Sequence, residues 1–108
     1  MTTLDFTARF VECVDESIAY VARYNLQKSV ELVDRIELLI SNIRQFPESY
    51  RSRDYLPAFL RRCSFRISAR YSDEYAIFYS FDESRDHVTM HALFPGYMNF
   101  GTIFSEWF

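Results

Sequence analysis

The sequence predicts a single α+β domain, in which two amphipathic helices are followed by a group of β-strands. In the first half of the chain, apolar residues recur at steps of three and four, which is the period of a helix. The second half shows the alternation and the short apolar runs of strands. The chain has 108 residues, of which 49% are hydrophobic, with only two Gly and three Pro. This length and composition fit one compact domain over residues 1–108 and leave no room for a second.

Two helices are predicted in the part of the chain that precedes Pro47. The first covers about residues 8–24, where one side is apolar and the other charged, and Asn25 is expected to end it. The second pattern runs from Val30 to Phe46 and stops at Pro47, which lacks an amide hydrogen and clashes with the preceding turn. Because few residues separate the two patterns, the helices are expected to pack as an antiparallel hairpin.

Strands are predicted both before and after the helices. Residues 59–71 alternate between apolar and polar positions, and residues 75–81 are almost continuously apolar, as in a central strand covered on both faces. A polar turn at 82–87 joins that run to another strand at 88–94, so these two strands should form an antiparallel hairpin. Residues 2–7 are a possible short edge strand. The aromatic C-terminal tail, from about residue 97, is expected to dock on the sheet or to form a homodimer contact.

Basic residues are concentrated in one region of an otherwise acidic chain. Residues 51–70 hold six of the twelve basic residues and one acid, whereas the remainder holds fourteen acids and six bases, and the net charge is −3. On the polar face of the predicted strand, arginines recur at four-residue steps, roughly 13 Å apart: Arg62, Arg66 and Arg70. This row predicts a surface that binds an acidic protein or a phosphate backbone. The alternative is the solvated face of an edge strand, where charges prevent aggregation.

Several classes of function lack their sequence signals. No basic segment leads into an apolar run at the N-terminus, and no uncharged apolar stretch approaches about 18 residues, so a cytoplasmic protein is expected. Cys13 and Cys63 form no metal-ligand spacing with each other or with His87 and His91, and we expect them to be buried thiols without a redox role. No Gly-rich phosphate loop and no metal motif is present, so no cofactor is expected.

Four short motifs lie on these predicted helices and strands. They are Ile-Ala-Tyr at 18–20, a long apolar helix ending in Phe46-Pro47, the pair Leu60-Arg61, and Tyr-x-Ile-x-Tyr at 75–79. Together, over about residues 4–97, they resemble the RelE/ParE superfamily of bacterial toxins from type II toxin-antitoxin modules. The resemblance implies a helical hairpin packed on one side of a small curved antiparallel sheet. It also implies a cognate antitoxin whose extended or helical segment wraps the toxin.

The superfamily contains two kinds of toxin, and the resemblance is closer to one of them. RelE-like members cleave messenger RNA on the ribosome, whereas ParE-like members inhibit DNA gyrase by binding. Arg66 stands where RelE-like toxins carry a lysine. Ser68 and Ala76, however, occupy positions where those toxins have further basic residues, and residues 95–98 stand in place of the basic cluster that they carry after the last strand. The net negative charge also fits poorly with entry into a ribosomal site lined by phosphate. We therefore interpret the chain as similar to the ParE-like plasmid-stabilisation toxins.

Two sets of candidate residues follow from this interpretation. Under the binding hypothesis, guanidinium groups form two-point contacts with acids of an antitoxin or of gyrase: Arg61, Arg62, Arg66 and Arg70. Under the alternative hypothesis of an mRNA endoribonuclease, the groups that would act are Arg61, Arg66, Arg70, His91 and Tyr97. His91 alternates with Met90 and Ala92, so it faces either the groove of the sheet or a helix, and a structural role is the more expected one. A degenerate member that only binds partners is a third hypothesis.

Overall fold

The computed structural model describes residues 2–50, 60–66 and 74–95, and it contains two helices on a four-stranded mixed sheet. In chain order the elements are β1 (Thr3–Phe6), α1 (Ala8–Tyr24), α2 (Leu26–Gln45), β2 (Leu60–Arg66), β3 (Glu74–Asp82), a 3₁₀ turn (Glu83–Arg85) and β4 (His87–Pro95). This order of elements confirms the predicted α+β fold with an N-terminal helical hairpin.

Both helices begin at polar caps, and one residue serves as the junction between them. The Thr7 hydroxyl accepts a hydrogen bond from the amide of Phe10 and so caps the start of α1. The Asn25 amide donates to the carbonyl of Val21 at the end of α1, while its side chain accepts from the amide of Lys28 at the start of α2. No helix in the described part of the chain is long and apolar enough to cross a membrane.

The sheet has the strand order β1-β4-β3-β2, so β3 and β4 are central and β2 lies at an edge. The pairs β2–β3 and β3–β4 are antiparallel, as predicted, but β1 pairs with β4 in parallel. The sheet is therefore mixed rather than wholly antiparallel. The helical hairpin separates β1 from the other strands and carries the chain across the sheet, which is the kind of crossover that a parallel pair requires. The predicted strand at 59–71 is observed as Leu60–Arg66, and its remaining positions lie outside the described residues.

Apolar side chains are buried on both faces of the sheet. On the helix face, the sheet packs against α1 and α2 through a large cluster that includes Phe10, Leu32, Ile36, Ile43, Ile77, Tyr79, Val88, Met90 and Leu93. A smaller cluster lies on the opposite face, which we call the second face: Leu60, Ala76, Phe78, Ala92 and Phe94. Because successive residues of β3 contribute alternately to the two clusters, the continuous apolar run of this strand is explained.

A β-bulge interrupts the pairing of the two central strands at His91. Phe78 pairs with Ala92 and Tyr79 pairs with Met90, so His91 is the extra residue of β4 in this register. The extra residue reverses the alternation along β4. Simple alternation would place Met90 and Ala92 on the same face, but they belong to clusters on opposite faces. The bulge thereby keeps buried residues on both sides of the sheet along the whole strand.

Candidate functional site

Polar side chains from the strands gather at one end of the second face. The observed register places five polar residues of β1, β3 and β4 on this face: Thr3, Asp5, Ser80, His87 and Thr89. We call this group, together with His91 and Arg62, the polar strip. It adjoins the buried second-face cluster and brings hydroxyl, imidazole, carboxylate and guanidinium groups together on one side of the sheet.

The bulged His91 is held by bonds to both its side chain and its backbone. Its Nε2 atom lies 2.8 Å from the Ser80 hydroxyl, and its carbonyl accepts a hydrogen bond of 3.1 Å from the Thr7 hydroxyl. The amide of Thr7 donates to the neighbouring carbonyl of Met90 at 3.1 Å. The side chain is half-buried, and this burial lowers the pKa of His91. The neutral imidazole is therefore favoured, and its contact with Ser80 is a hydrogen bond between uncharged groups.

His87 connects β1 to β4 through both of its ring nitrogens. Its Nε2 lies 2.9 Å from Asp5 Oδ2 and its Nδ1 lies 2.5 Å from the Thr3 hydroxyl. Because a carboxylate only accepts, Nε2 carries the hydrogen in this contact, and in the neutral ring Nδ1 accepts from Thr3. Asp86 adds to this connection, since its side chain accepts from Thr2 and its carbonyl from the amide of Thr3. The arrangement fastens the short parallel strand at its exposed edge.

The predicted arginines do not all lie on one surface. Arg62 lies opposite Phe78 in the register and follows Leu60 by two residues, which places it on the second face with the polar strip. Arg61 lies opposite Tyr79 and donates from Nη1 to the carbonyl of Tyr50 at 2.6 Å. Arg61 therefore helps to hold the loop that follows α2.

The remaining predicted site residues can be placed only in part. The backbone of Arg66 pairs with that of Glu74 at the end of β2. The side chain of Arg66, and the whole of Arg70 and Tyr97, lie outside the described residues. Of the candidate residues, the described structure thus brings Arg62 and His91 to the same face and turns Arg61 to the other one.

Sequence reasoning missed the residues that position the two histidines. Ser80 contacts His91, whereas Thr3 and Asp5 contact His87. A single polar residue between Tyr79 and Phe81 in an apolar strand is a signal that could have identified Ser80. The pairing of β1 with β4 has no comparable local signal, because it joins residues more than eighty positions apart.

No candidate metal site is found among the described residues. Across residues 2–50, 60–66 and 74–95, no group of three or more His, Cys, Asp or Glu side chains could hold a metal ion. Cys13 is half-buried and packs against residues of both clusters, and burial raises the pKa of its thiol. A protonated thiol is a poor nucleophile, and the absence of a redox role stays a prediction for both cysteines.

Comparison with known proteins identifies both a family and a fold. Residues 4–94 match the model of a family described as the ParE toxin of the type II toxin-antitoxin system, parDE. No match was found among curated proteins. Among solved structures, the isolated RelE toxin of E. coli is similar with a TM-score of 0.58 and 14% sequence identity, over 99% of this chain and 95% of that one. At this identity the structural match shows a shared fold.

Proposed function

The chain belongs to the family of ParE toxins of type II toxin-antitoxin systems, and from this premise we propose that it inhibits DNA gyrase by binding it. The family gives it a cognate antitoxin as its partner. We further propose that both encounters take place in the cytoplasm. The binding surface in this proposal, which we call the arginine face, is the side of the sheet that bears Arg62. The strand alternation in the sequence predicts that Arg66 and Arg70 join Arg62 there and pair with acidic groups of either partner.

The observation that carries this proposal is the family match, which spans both helices and almost all of the four strands. The contacts of the described residues support binding rather than cleavage. RNA cleavage by attack of the 2′-hydroxyl needs a base, an acid and cationic charge directed at one phosphate. Arg61 instead donates to a backbone carbonyl at the loop after α2, on the opposite face of the sheet from His91, so these two candidate residues are not directed at one phosphate.

A supercoiling assay with purified gyrase and relaxed plasmid tests the proposal. The protein should inhibit supercoiling, and Arg62→Gln should weaken the inhibition about ten-fold, because a hydrogen bond to a charged partner typically contributes about 1.5–3 kcal/mol. Arg35→Gln, which removes an exposed arginine of α2, is the matched control and should leave inhibition unchanged. Supercoiling that proceeds normally at a large excess of the protein would contradict gyrase as the target.

One observation favours the second candidate function, an mRNA endoribonuclease. The polar strip places the neutral imidazole of His91 beside the Ser80 hydroxyl on the same face as Arg62, and such an imidazole can accept a proton. If this function is correct, induction in bacteria should cleave translated messages at specific sites, and His91→Gln and Arg66→Ala should each abolish the cleavage. Under the gyrase proposal, induction should instead produce filamentous cells with intact transcripts.

Binding of the antitoxin can be tested separately from toxicity. An antitoxin that pairs with the arginine face should bind less tightly to a variant carrying Arg62→Gln, while the Arg35→Gln variant should bind as the parent does. Isothermal titration with the purified antitoxin measures both affinities. Equal affinities for the two variants would mean that the antitoxin contacts a different surface. That result would not affect the conclusion of the gyrase assay.

A further inference from the structure

Two adjoining hollows lie where α2 and β3 end. This is the end of the helix layer that is remote from Asn25, the junction of the two helices. One has a volume of about 790 Å³ and is lined by residues 80–84; the other has a volume of about 390 Å³ and is lined by residues 45–49 and Phe81. They meet at Phe81, which lines both. We call the combined depression the Phe81 cleft. Phe81 is half-buried, and Phe46, which also lines the cleft, is 57% exposed, so aromatic surface is open to a partner.

Both rims of the Phe81 cleft are fixed in place by hydrogen bonds. On the helix side, the buried Tyr79 donates from its hydroxyl to the carbonyl of Pro47 at 2.7 Å, and the amide of Ser49 donates to the carbonyl of Phe46. On the sheet side, Asp82 Oδ1 accepts from both the amide and the hydroxyl of Ser84. A preformed depression loses little conformational entropy when it is occupied, which favours binding.

The rims carry negative charge, and two of the acids meet. The carboxyl groups of Glu48 and Glu83, one from each rim, lie close enough to hydrogen-bond when one of them is protonated. The pKa of Glu48 is raised, first by this hydrogen bond and next by the negative charge of Glu83. The positive charge of Arg61 offsets only part of this increase. Two facing carboxyl groups at the surface repel each other when both are ionised, and a cation placed between them would relieve that repulsion. The exposed Asp82 adds a further negative charge to the same side of the cleft.

We propose that the Phe81 cleft is a docking site for a basic and partly apolar segment of a partner protein. An arginine or lysine head of that segment would lie between Glu48 and Glu83, and its aliphatic stem or an adjacent apolar side chain would cover Phe46 and Phe81. Charge complementarity selects this partner, because the rims are acidic and the floor is aromatic, a combination that attracts guanidinium and ammonium groups. The floor of the cleft at Phe81 belongs to the helix face, and the inference does not depend on the gyrase proposal.

Fluorescence anisotropy with a labelled octapeptide of alternating Leu and Arg tests this inference on the full chain. The peptide should bind the parent protein, and the double variant Glu48→Gln with Glu83→Gln should bind about three- to ten-fold less tightly, since exposed ion pairs contribute modestly and are screened by solvent. Phe46→Ser should weaken binding by a similar factor through loss of the aromatic contact. The matched control, Glu37→Gln, removes an exposed acid of α2 outside the cleft and should change the affinity by less than about two-fold.

Three results would overturn the proposal. The first is no measurable binding of the Leu-Arg peptide at millimolar concentration. The second is equal binding by the parent and by the double glutamine variant. The third is equal binding of a Leu-Gln octapeptide, which would indicate an apolar contact without selection for a cation. All the substituted side chains are exposed, so the variants are expected to fold, and circular dichroism verifies this before each titration.

Discussion

At the scale of single residues, His91 links the stability of the fold to pH. Burial lowers its pKa in the native state, so the unfolded chain binds a proton more readily than the folded one. The stabilising contribution of His91 is therefore fully present above the ordinary histidine pKa of about 6.5, and it is lost as the pH falls through that value towards the lower native pKa. The free energy of unfolding of the parent protein should accordingly decrease between pH 7.5 and pH 5.5.

Urea denaturation at pH 7.5, 6.5 and 5.5 measures this contribution. His91→Gln should reduce the decrease, because glutamine can still bond the Ser80 hydroxyl but does not titrate. His87→Gln is the comparison variant: it removes the other histidine of β4 together with its contacts to β1, so its stability should be lower at every pH, but the decrease on acidification that His91 causes should remain. If the His91→Gln variant loses as much stability on acidification as the parent, the acid sensitivity arises elsewhere in the molecule.

At the scale of elements, the helical hairpin depends on a junction of one residue. Asn25 ends α1 with its backbone amide and begins α2 with its side chain, so both helices meet there without an intervening loop. Asn25→Ala should destabilise the protein by about 1 kcal/mol, because alanine leaves the amide of Lys28 without its cap, whereas Asn25→Asp should be nearly neutral. Gln27→Ala, an exposed change in the same first turn, serves as the control. Thermal unfolding of the three variants separates the cap from ordinary helix propensity.

The elements also show what the sequence could and could not reveal. The helices and β3 were predictable because their apolar residues repeat with periods that local geometry dictates. The bulge was not predictable, because no local pattern favours an extra residue in β4. The packing of two separate clusters and the hydrogen bonds from Thr7 and Ser80 to His91 favour it instead. The same reason explains why the contact between His91 and Ser80 was missed. The opposite orientations of Arg61 and Arg62, by contrast, follow from the local alternation of a strand and were predictable, although both were named as binding residues.

At the scale of the whole molecule, the sheet divides the interior into two compartments. The helix-face cluster and the second-face cluster are both formed by β3 and β4, but their side chains extend in opposite directions from the backbone. Ile36 of α2 belongs to the first and Phe78 of β3 to the second, and both are nearly inaccessible to solvent. Substitutions in different compartments should therefore act independently, while substitutions of facing residues in one compartment should not.

A double-mutant cycle tests this division. Ile36→Val should cost about 0.5–1.5 kcal/mol, and Phe78→Leu should cost more because it leaves a larger void. In the double variant the two losses should add to within about 0.5 kcal/mol, as is usual for sites that share no partners. The reference pair is Ile77→Val with Leu93→Ala, whose side chains face each other across β3 and β4 on the helix face and should show a coupling larger than 0.5 kcal/mol. Strong coupling between Ile36 and Phe78 would mean that the sheet transmits packing changes from one face to the other, so a partner bound at the arginine face could alter the helix layer.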